Sequence, residues 1–401
     1  MNKCNKILVV TSKAPPEYSG SGNRIVKQYQ RIEKINISPF SVLCSSTEKV
    51  FSLPIFNRNR YPQISFKLTR LFSILNQTLI YKTIMYVEFL LEFHISYFYI
   101  FLKFRNYNFY HIIGDVALTS AALSFCEKNN IPFIYEIVNE DKNKYDPLWI
   151  RVPFWQKAIK FKPSLSTVKT INLRLKEKIR GLHPSINVVS FPNSVDLTQI
   201  EKSRKKNNKQ KTDIIKIIYL AKYIPRKQQD ILIKSFKYLP NNYTLDICGP
   251  ISYKGLNSKR DSIYLKNLKN LINDLKLNEK INLHVEYVDY PYELISNYDI
   301  FVYPSKNEAF GTPIIEAILL GLSVVATSGE PAFEEWVCHG KNGYLFDGTP
   351  LDLSKKIIAC NILDQKIKEK HNKKIGLKVN HEAADNFLIK EIQNLMLNHD
   401  I

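Results

Sequence analysis

Clustered cysteines are missing from this chain of 401 residues: Cys4, Cys44, Cys126, Cys248, Cys338 and Cys360 lie far apart, with no Cys-x-x-Cys and no neighbouring histidine set. That spacing argues against a metal module and for free thiols in a reducing compartment. Long hydrophobic runs are missing too. Ile7-Leu8-Val9-Val10 is too short for a secretory signal and suits a first buried strand, so a cytoplasmic protein is expected. From Leu79 to Phe104 the apolar and aromatic residues crowd together, yet Lys82, Glu88, Glu92 and Lys103 interrupt them. The longest uncharged run, Phe93 to Leu102, is half of the ~20 residues that span a bilayer. Acidic residues are scarce, 37 against 57 Lys and Arg, and the net charge of +20 favours anionic partners: phosphates, nucleic acid or an acidic membrane face. The basic run at 202–211 lacks interleaved aromatics and no recognised binding motif is present, so no nucleic acid is expected.

What is present is length and alternation. With 45% hydrophobic residues the chain can bury more than one core. Strand-like Ile7 to Val10, Ser41 to Cys44, Tyr110 to Ile113 and Phe133 to Val138 alternate with helix-like Arg24 to Lys34 and Val116 to Lys128. A Lys- and Asn-rich segment between Asp196 and Asp213 resembles a solvated linker, about which two domains could close. Beyond it the alternation restarts with strands at Ile214 to Leu220, Tyr243 to Cys248, Ile281 to Val285, Ile300 to Tyr303 and Ser323 to Ala326. The expected class is α/β, two doubly wound parallel-sheet domains at 1–196 and 197–380 facing a central cleft, with a helical tail at 381–401 packing back on the first.

The most informative stretch is Glu308-Ala309-Phe310-Gly311-Thr312-Pro313-Ile314-Ile315-Glu316, directly after the strand Ile300 to Tyr303. Thr312 is expected to cap a helix that Pro313 opens and Gly321 stops, with Glu316 on its first turn. The backbone N–H groups of Phe310, Gly311 and Thr312 would then face outward at the positive end of the helix, a place for phosphate. Two acids beside an anion site make sense for a nucleotide sugar, whose hydroxyls need acceptors and whose diphosphate needs donors. A second cluster, Lys222, Arg226 and Lys227, crowds another helix start, where cations are disfavoured until an anion arrives. Ser19-Gly20-Ser21-Gly22-Asn23 forms a small-residue loop after the first strand that would admit close approach to a ligand; a plain tight turn has the same composition.

These residues resemble a known family. Tyr303 to Ala317, with its Glu-x7-Glu spacing, together with Gly321 to Gly329 and Gly340 to Phe346, is similar to the C-terminal half of retaining glycosyltransferases of the GT-B fold, family 4 in particular. The resemblance implies that Glu316 holds the ribose hydroxyls, that Glu308 contacts the donor sugar, and that Phe310, Gly311 and Thr312 meet the sugar and phosphates. Lys227 matches the family's lysine, while Ala221-Lys222 replaces its Gly-Arg pair, keeping a charge but losing the planar fork. Gly249 in Asp246-Ile247-Cys248-Gly249-Pro250 resembles a nucleotide-contacting glycine, Gly20 to Gly22 an acceptor-side loop, and Pro192 to Asp196 the end of the first domain. Two departures stand out. A histidine common after the strand Phe133 to Val138 is missing, leaving Asn139 or a neighbouring acid in its place, and Gly329-Glu330 replaces a Gly-Gly pair. His111 resembles another frequent histidine and is a ligand candidate or a hydrogen-bonded core residue.

The resemblance implies transfer of a hexose from a UDP-, GDP- or ADP-sugar to a glycan or lipid-linked acceptor with retained configuration, without a tightly held metal or cofactor, in polysaccharide or lipopolysaccharide assembly. Glu308, Lys227 and Lys222 would be catalytic, the lysines offsetting charge on the leaving diphosphate. The aromatic stretch is either a layer under the first sheet or a peripheral surface for the anionic inner face of the plasma membrane. Alternatives are a nucleotide-sugar epimerase on the same fold, a non-catalytic anion- or nucleic-acid-binding protein, or a silent partner subunit.

Overall fold

A computed structural model describes residues 6–14, 20–35, 39–45, 51–53, 61–67, 79–114, 116–137, 161–206, 212–252, 258–289, 291–308 and 310–399. The chain separates into two compact units, Met1–Phe191 with Ala384–Ile401, and Pro192–Ala383, so it crosses between them twice.

The first unit is an eight-stranded sheet built from β1 (Ile7–Thr11), β2 (Phe40–Ser45), β3 (Phe51–Ser52), β4 (Gln63–Phe66), β5 (Phe109–Ile113), β6 (Phe133–Ile137), β7 (Ser166–Thr170) and β8 (Val188–Ser190) in the order β3-β4-β2-β1-β5-β6-β7-β8. Its pairings are parallel except β3 with β4. Continuous apolar strands belong in sheets covered on both faces. Accordingly, Leu8 and Val10 pack with Ile100, Leu118 and Phe125 on one face, while Ile7 and Val9 pack with Ile25, Tyr29 and Ile32 on the other. The second face is completed by Leu388, Ile392 and Leu395 of the last helix, His381–His399. That helix is tied on by the fork of Arg31 to Asp385, two bonds of 2.8 Å.

The aromatic stretch forms one helix, Leu79–Phe104. Its internal charges do not break it. Thr83–Phe104 is long and apolar enough to cross a membrane on length and composition, which the short uncharged run does not reveal. Glu92 is nevertheless buried and bonded to Lys67 Nζ at 2.6 Å, Ser45 Oγ at 3.0 Å and the Phe66 N–H at 3.3 Å, which pins the helix to β2 and β4. Phe93, Ile100 and Phe104 face the core, whereas Ile80, Val87, Leu91, Phe98 and Leu102 are exposed.

The second unit is a six-stranded, wholly parallel sheet of β9 (Ile215–Leu220), β10 (Tyr243–Cys248), β11 (Ile281–His284), β12 (Ile300–Tyr303), β13 (Ser323–Thr327) and β14 (Gly343–Phe346), ordered β11-β10-β9-β12-β13-β14. Ahead of β9, the first part of the expected linker is a helix, Leu197–Lys206, while residues 207–211 lie outside the described residues. Asp196 caps it by accepting the Gln199 N–H at 3.1 Å, and Ile200 is buried. A cap and one apolar anchor are enough to fold a segment that composition alone marks as solvated. The five described cysteines are free; Cys4 lies outside the described residues.

Candidate functional site

In the second unit the winding reverses between β9 and β12, with β10 and β11 on one side and β13 and β14 on the other. Ligands of open parallel sheets bind outside the carboxyl ends of the strands at such a reversal. The loops leaving these two strands carry Lys222, Arg226 and Lys227 on one side and Glu308 to Thr312 on the other.

Three donors converge on Glu308 Oε1: Lys227 Nζ at 2.6 Å, Arg226 Nη1 at 2.7 Å and the hydroxyl of Ser305. Lys227 also donates to the Tyr303 hydroxyl at 2.8 Å, and its backbone oxygen accepts from Tyr219 at 2.7 Å. Arg226 ties down the loop by donating to the carbonyls of Lys306 and Asn307, each at 3.1 Å. Burial lowers the Lys227 ammonium from its usual value, with the Glu308 carboxylate pulling the other way. Two cations meet Glu308, whose backbone N–H donates to a second carboxylate, Glu330, at 3.3 Å, and Arg226, with a side chain 41% exposed, remains open to an incoming anion.

The helix after Glu308 runs Thr312–Leu319 and corrects two expectations. Its cap is Gly311, at φ 76°, with no side-chain bond, so Thr312 is the first helical residue rather than the cap. Only glycine suits this position: φ is left-handed, and a Cβ would lie 3.2 Å from the Phe333 ring. Glu316 consequently falls beyond the first turn, where it accepts a bond from Tyr292 at 3.0 Å. Burial pushes its carboxyl up to about 7, against the lowering effect of that bond. Among the described residues, no hydrogen bond engages the N–H groups of Gly311 and Thr312. The Phe310 ring is buried edge-on against Trp336, so only its backbone could meet a ligand.

Other expectations fare differently. Lys222 does not join the Glu308 group: its Nζ lies on Ser252 Oγ and 3.2 Å from Asp261. Burial would raise Asp261, but bonds from Arg260, Ser252 and Lys222 outweigh it and hold the carboxyl below its usual range, and that buried acid is what claims the lysine. Gly249 has a structural reason to be glycine, since a Cβ there would sit 2.0 Å from the Ala221 carbonyl. In the first unit, Gly20, Ser21 and Gly22 open the helix Gly20–Lys34 instead of forming a loop. His111 is 1% exposed inside β5, its Nδ1 3.0 Å from the Tyr29 hydroxyl and its Nε2 3.4 Å from Glu136. Packing on both faces of the sheet makes it a buried core residue held by side-chain partners. Asn139 lies outside the described residues. Tyr303, Ser305 and Tyr292 join these groups as well; Tyr303 and Ser305 lie within the stretch Tyr303 to Ala317, but nothing in the sequence marks Tyr292.

Residues 199–376 match the family Glycosyl transferases group 1. The segment that holds Glu308, Glu316 and Lys227 lies within that match, and the fold of the chain is GT-B. The chain is similar to the O-antigen biosynthesis glycosyltransferase WclY of Escherichia coli, 37% identical over 75 residues, which is 19% of this chain and 21% of WclY. It is also similar to the capsular polysaccharide biosynthesis glycosyltransferase CapM of Staphylococcus aureus, 22% identical over 52% of this chain and 54% of CapM. The matched regions therefore span about a fifth and about half of those relatives. Among solved structures, HepE of Anabaena in complex with UDP and glucose aligns with a TM-score of 0.64 at 16% identity over 97% of this chain and 99% of HepE. Sucrose-phosphate synthase of Thermosynechococcus elongatus gives 0.72 at 14% identity over 98% and 99%. At such identities the likeness concerns the fold alone.

Proposed function

We propose that the protein is a glycosyltransferase that moves a hexose, with retained anomeric configuration, from a nucleoside diphosphate sugar to a glycan or lipid-linked acceptor in cell-surface polysaccharide assembly. The observation that carries this reading is the convergence of Lys227 and Arg226 on Glu308 at the carboxyl edge between β9 and β12, beside the free N–H groups of a helix start. A diphosphate arriving there can accept from Arg226 and Lys227, and the N–H groups stabilise the charge that grows as it leaves. Glu316, poised near neutrality, is an acceptor for the ribose diol. No side chain need act as a strong base, because the departing phosphate oxygen can take the acceptor's proton while Glu308 positions the sugar. The relatives in O-antigen and capsule synthesis support this substrate class, and the UDP in HepE favours a UDP-sugar for the first trial.

The acceptor side of the reading rests on the helix Leu79–Phe104. Ile80, Val87, Leu91, Phe98 and Leu102 recur at helical spacing on its exposed face, with Lys103 and Arg105 at its end. Such a face suits the surface of an anionic membrane, where a lipid-linked acceptor would be met.

Calorimetric titration with UDP-, GDP- and ADP-sugars tests the donor site: one of them should bind, and Lys227→Met should abolish binding. Failure of all three, or binding unaffected by the substitution, removes the reading. The anomeric proton of the product, followed by NMR from the start of turnover, tests retention.

A further inference from the structure

A cavity of about 620 Å³ opens in the second unit at the amino ends of its strands, the end opposite Glu308. Its size falls within the roughly 300–1,000 Å³ of small-molecule sites. Its floor includes Leu319 and Leu320 at the end of the helix Thr312–Leu319, and its walls are the helices Leu197–Lys206 and Gln365–Val379. Gly376 faces the gap between the walls; a Cβ there would reach only ordinary contact with Leu319 at 3.4 Å and Leu197 at 3.9 Å, so the missing side chain leaves that space open.

The polar groups of this cavity ask for a particular ligand. Asn372 is 7% exposed and donates its amide to the Ile318 carbonyl at 2.7 Å, while its Oδ1, also buried, has no hydrogen-bond partner. A buried acceptor without a donor is unfavourable until one arrives, and a ligand hydroxyl is such a donor. Lys368 is 5% exposed and reaches Ser323 Oγ at 3.4 Å; with Arg204 and Lys373 it sets three cations against Glu201 and Glu369 in the lining. The wall helices are basic beyond the lining: Lys366, Lys370, Lys374 and Lys378 on one, Lys202, Lys205 and Lys206 on the other. Excess cations, a donor-seeking amide and a leucine floor describe a hydroxylated anion with some carbon surface.

We infer that this cavity binds a phosphate ester of a polyol, with its phosphate against Arg204, Lys368 and Lys373, a hydroxyl on Asn372 Oδ1 and its carbon skeleton over Leu319 and Leu320. Free sugar or glycerol phosphates and glycerophospholipid headgroups share this chemistry. The inference does not depend on the donor site, and Glu308→Gln should leave it unchanged.

The test uses the full chain, with calorimetry against glycerol 3-phosphate and inorganic phosphate and sedimentation with phosphatidylglycerol or phosphatidylcholine vesicles. The ester should bind about tenfold more tightly than inorganic phosphate, and Asn372→Leu should erase that preference. Arg204→Glu with Lys373→Glu, both exposed and so compatible with folding, should weaken binding about tenfold or more. Loss of sedimentation with phosphatidylglycerol in that variant, without affinity for the free ester, assigns the site to the headgroup. The inference is overturned if neither ester nor vesicle binds, if the double variant binds as the native chain does, or if a nucleotide competes for the site.

Discussion

In each unit a carboxylate lies between an arginine and a lysine, Glu136 in the first and Glu308 in the second, and these two groups behave as opposites. In the first unit Glu136 contacts Arg24 and lies 3.2 Å from Lys169, with His111 and Tyr29 closing the group; its side chain is fully buried. In the second, Glu308 contacts Arg226 and Lys227 but keeps 14% exposure, and Arg226 keeps 41%. Burial would raise Glu136, but Arg24 and Lys169 hold it far below the usual carboxylate range, whereas burial pushes His111 down so that its imidazole is neutral. The buried group joins β5, β6, β7 and the helix Gly20–Lys34. The open group can exchange Glu308 for a ligand oxygen. The same three charges thus form a structural tie where water is excluded and, in the proposed function, a binding site where it is not.

Breaking the buried tie should have the largest effect. Glu136→Gln leaves two cations without their counter-charge and should cost about 3–5 kcal/mol in denaturant unfolding of the first unit; an unchanged midpoint would put the two groups on the same footing. Glu308→Gln, by contrast, should lower turnover by about 10²–10³ with an intact unfolding curve, as judged by steady-state rates beside circular dichroism.

Next comes pH. Burial lowers Lys169 to about 8, so the folded chain loses that proton before the unfolded chain, in which lysine titrates near 10.4. The unfolded state then binds more protons between these values, and stability of the first unit should rise across about pH 8 to 10.4, with Lys169→Met flattening the rise. Glu136 acts with the same sign in the acid range: its stabilisation is present above an ordinary carboxylate value of about 4.3 and is lost as pH falls below it.

Glu316 sharpens the contrast with a smaller effect. Its folded pKa is raised to about 7, so its contribution is present below about 4.3 and is lost as pH climbs through 7. At pH 8, Glu316→Gln should therefore raise stability by about 1 kcal/mol while weakening donor binding. Thermal melts and titration on the same sample check both signs. Arg226→Lys should do least, a loss of about tenfold or less in donor affinity, since a charge remains but the fork that also holds Lys306 and Asn307 is gone.

Much of this was legible before the structure. Ile7 to Val10 and Ile300 to Tyr303 are apolar throughout because both faces of their sheets are covered, and that run is a local signal. β7 is the counter-example. Ser166-Thr167-Val168-Lys169-Thr170 carries one apolar residue, yet all five are buried, because Glu136 on the neighbouring strand receives the lysine. No pattern along the chain shows a partner 33 positions away. For the same reason His111 resembles a ligand contact in sequence and Lys222 a cation for a diphosphate, while the structure pairs them with Glu136 and Asp261.

The amino-acid sequence by itself determined the alternation of strands and helices, the Glu308 to Glu316 motif and the basic surplus, because turn chemistry, periodicity and charge are properties of neighbouring residues. Which cations meet which carboxylates, and which of those meetings water can enter, was decided only by tertiary structure. Burial sets the cost of an unpaired charge, and burial arises from packing residues that the chain holds far apart.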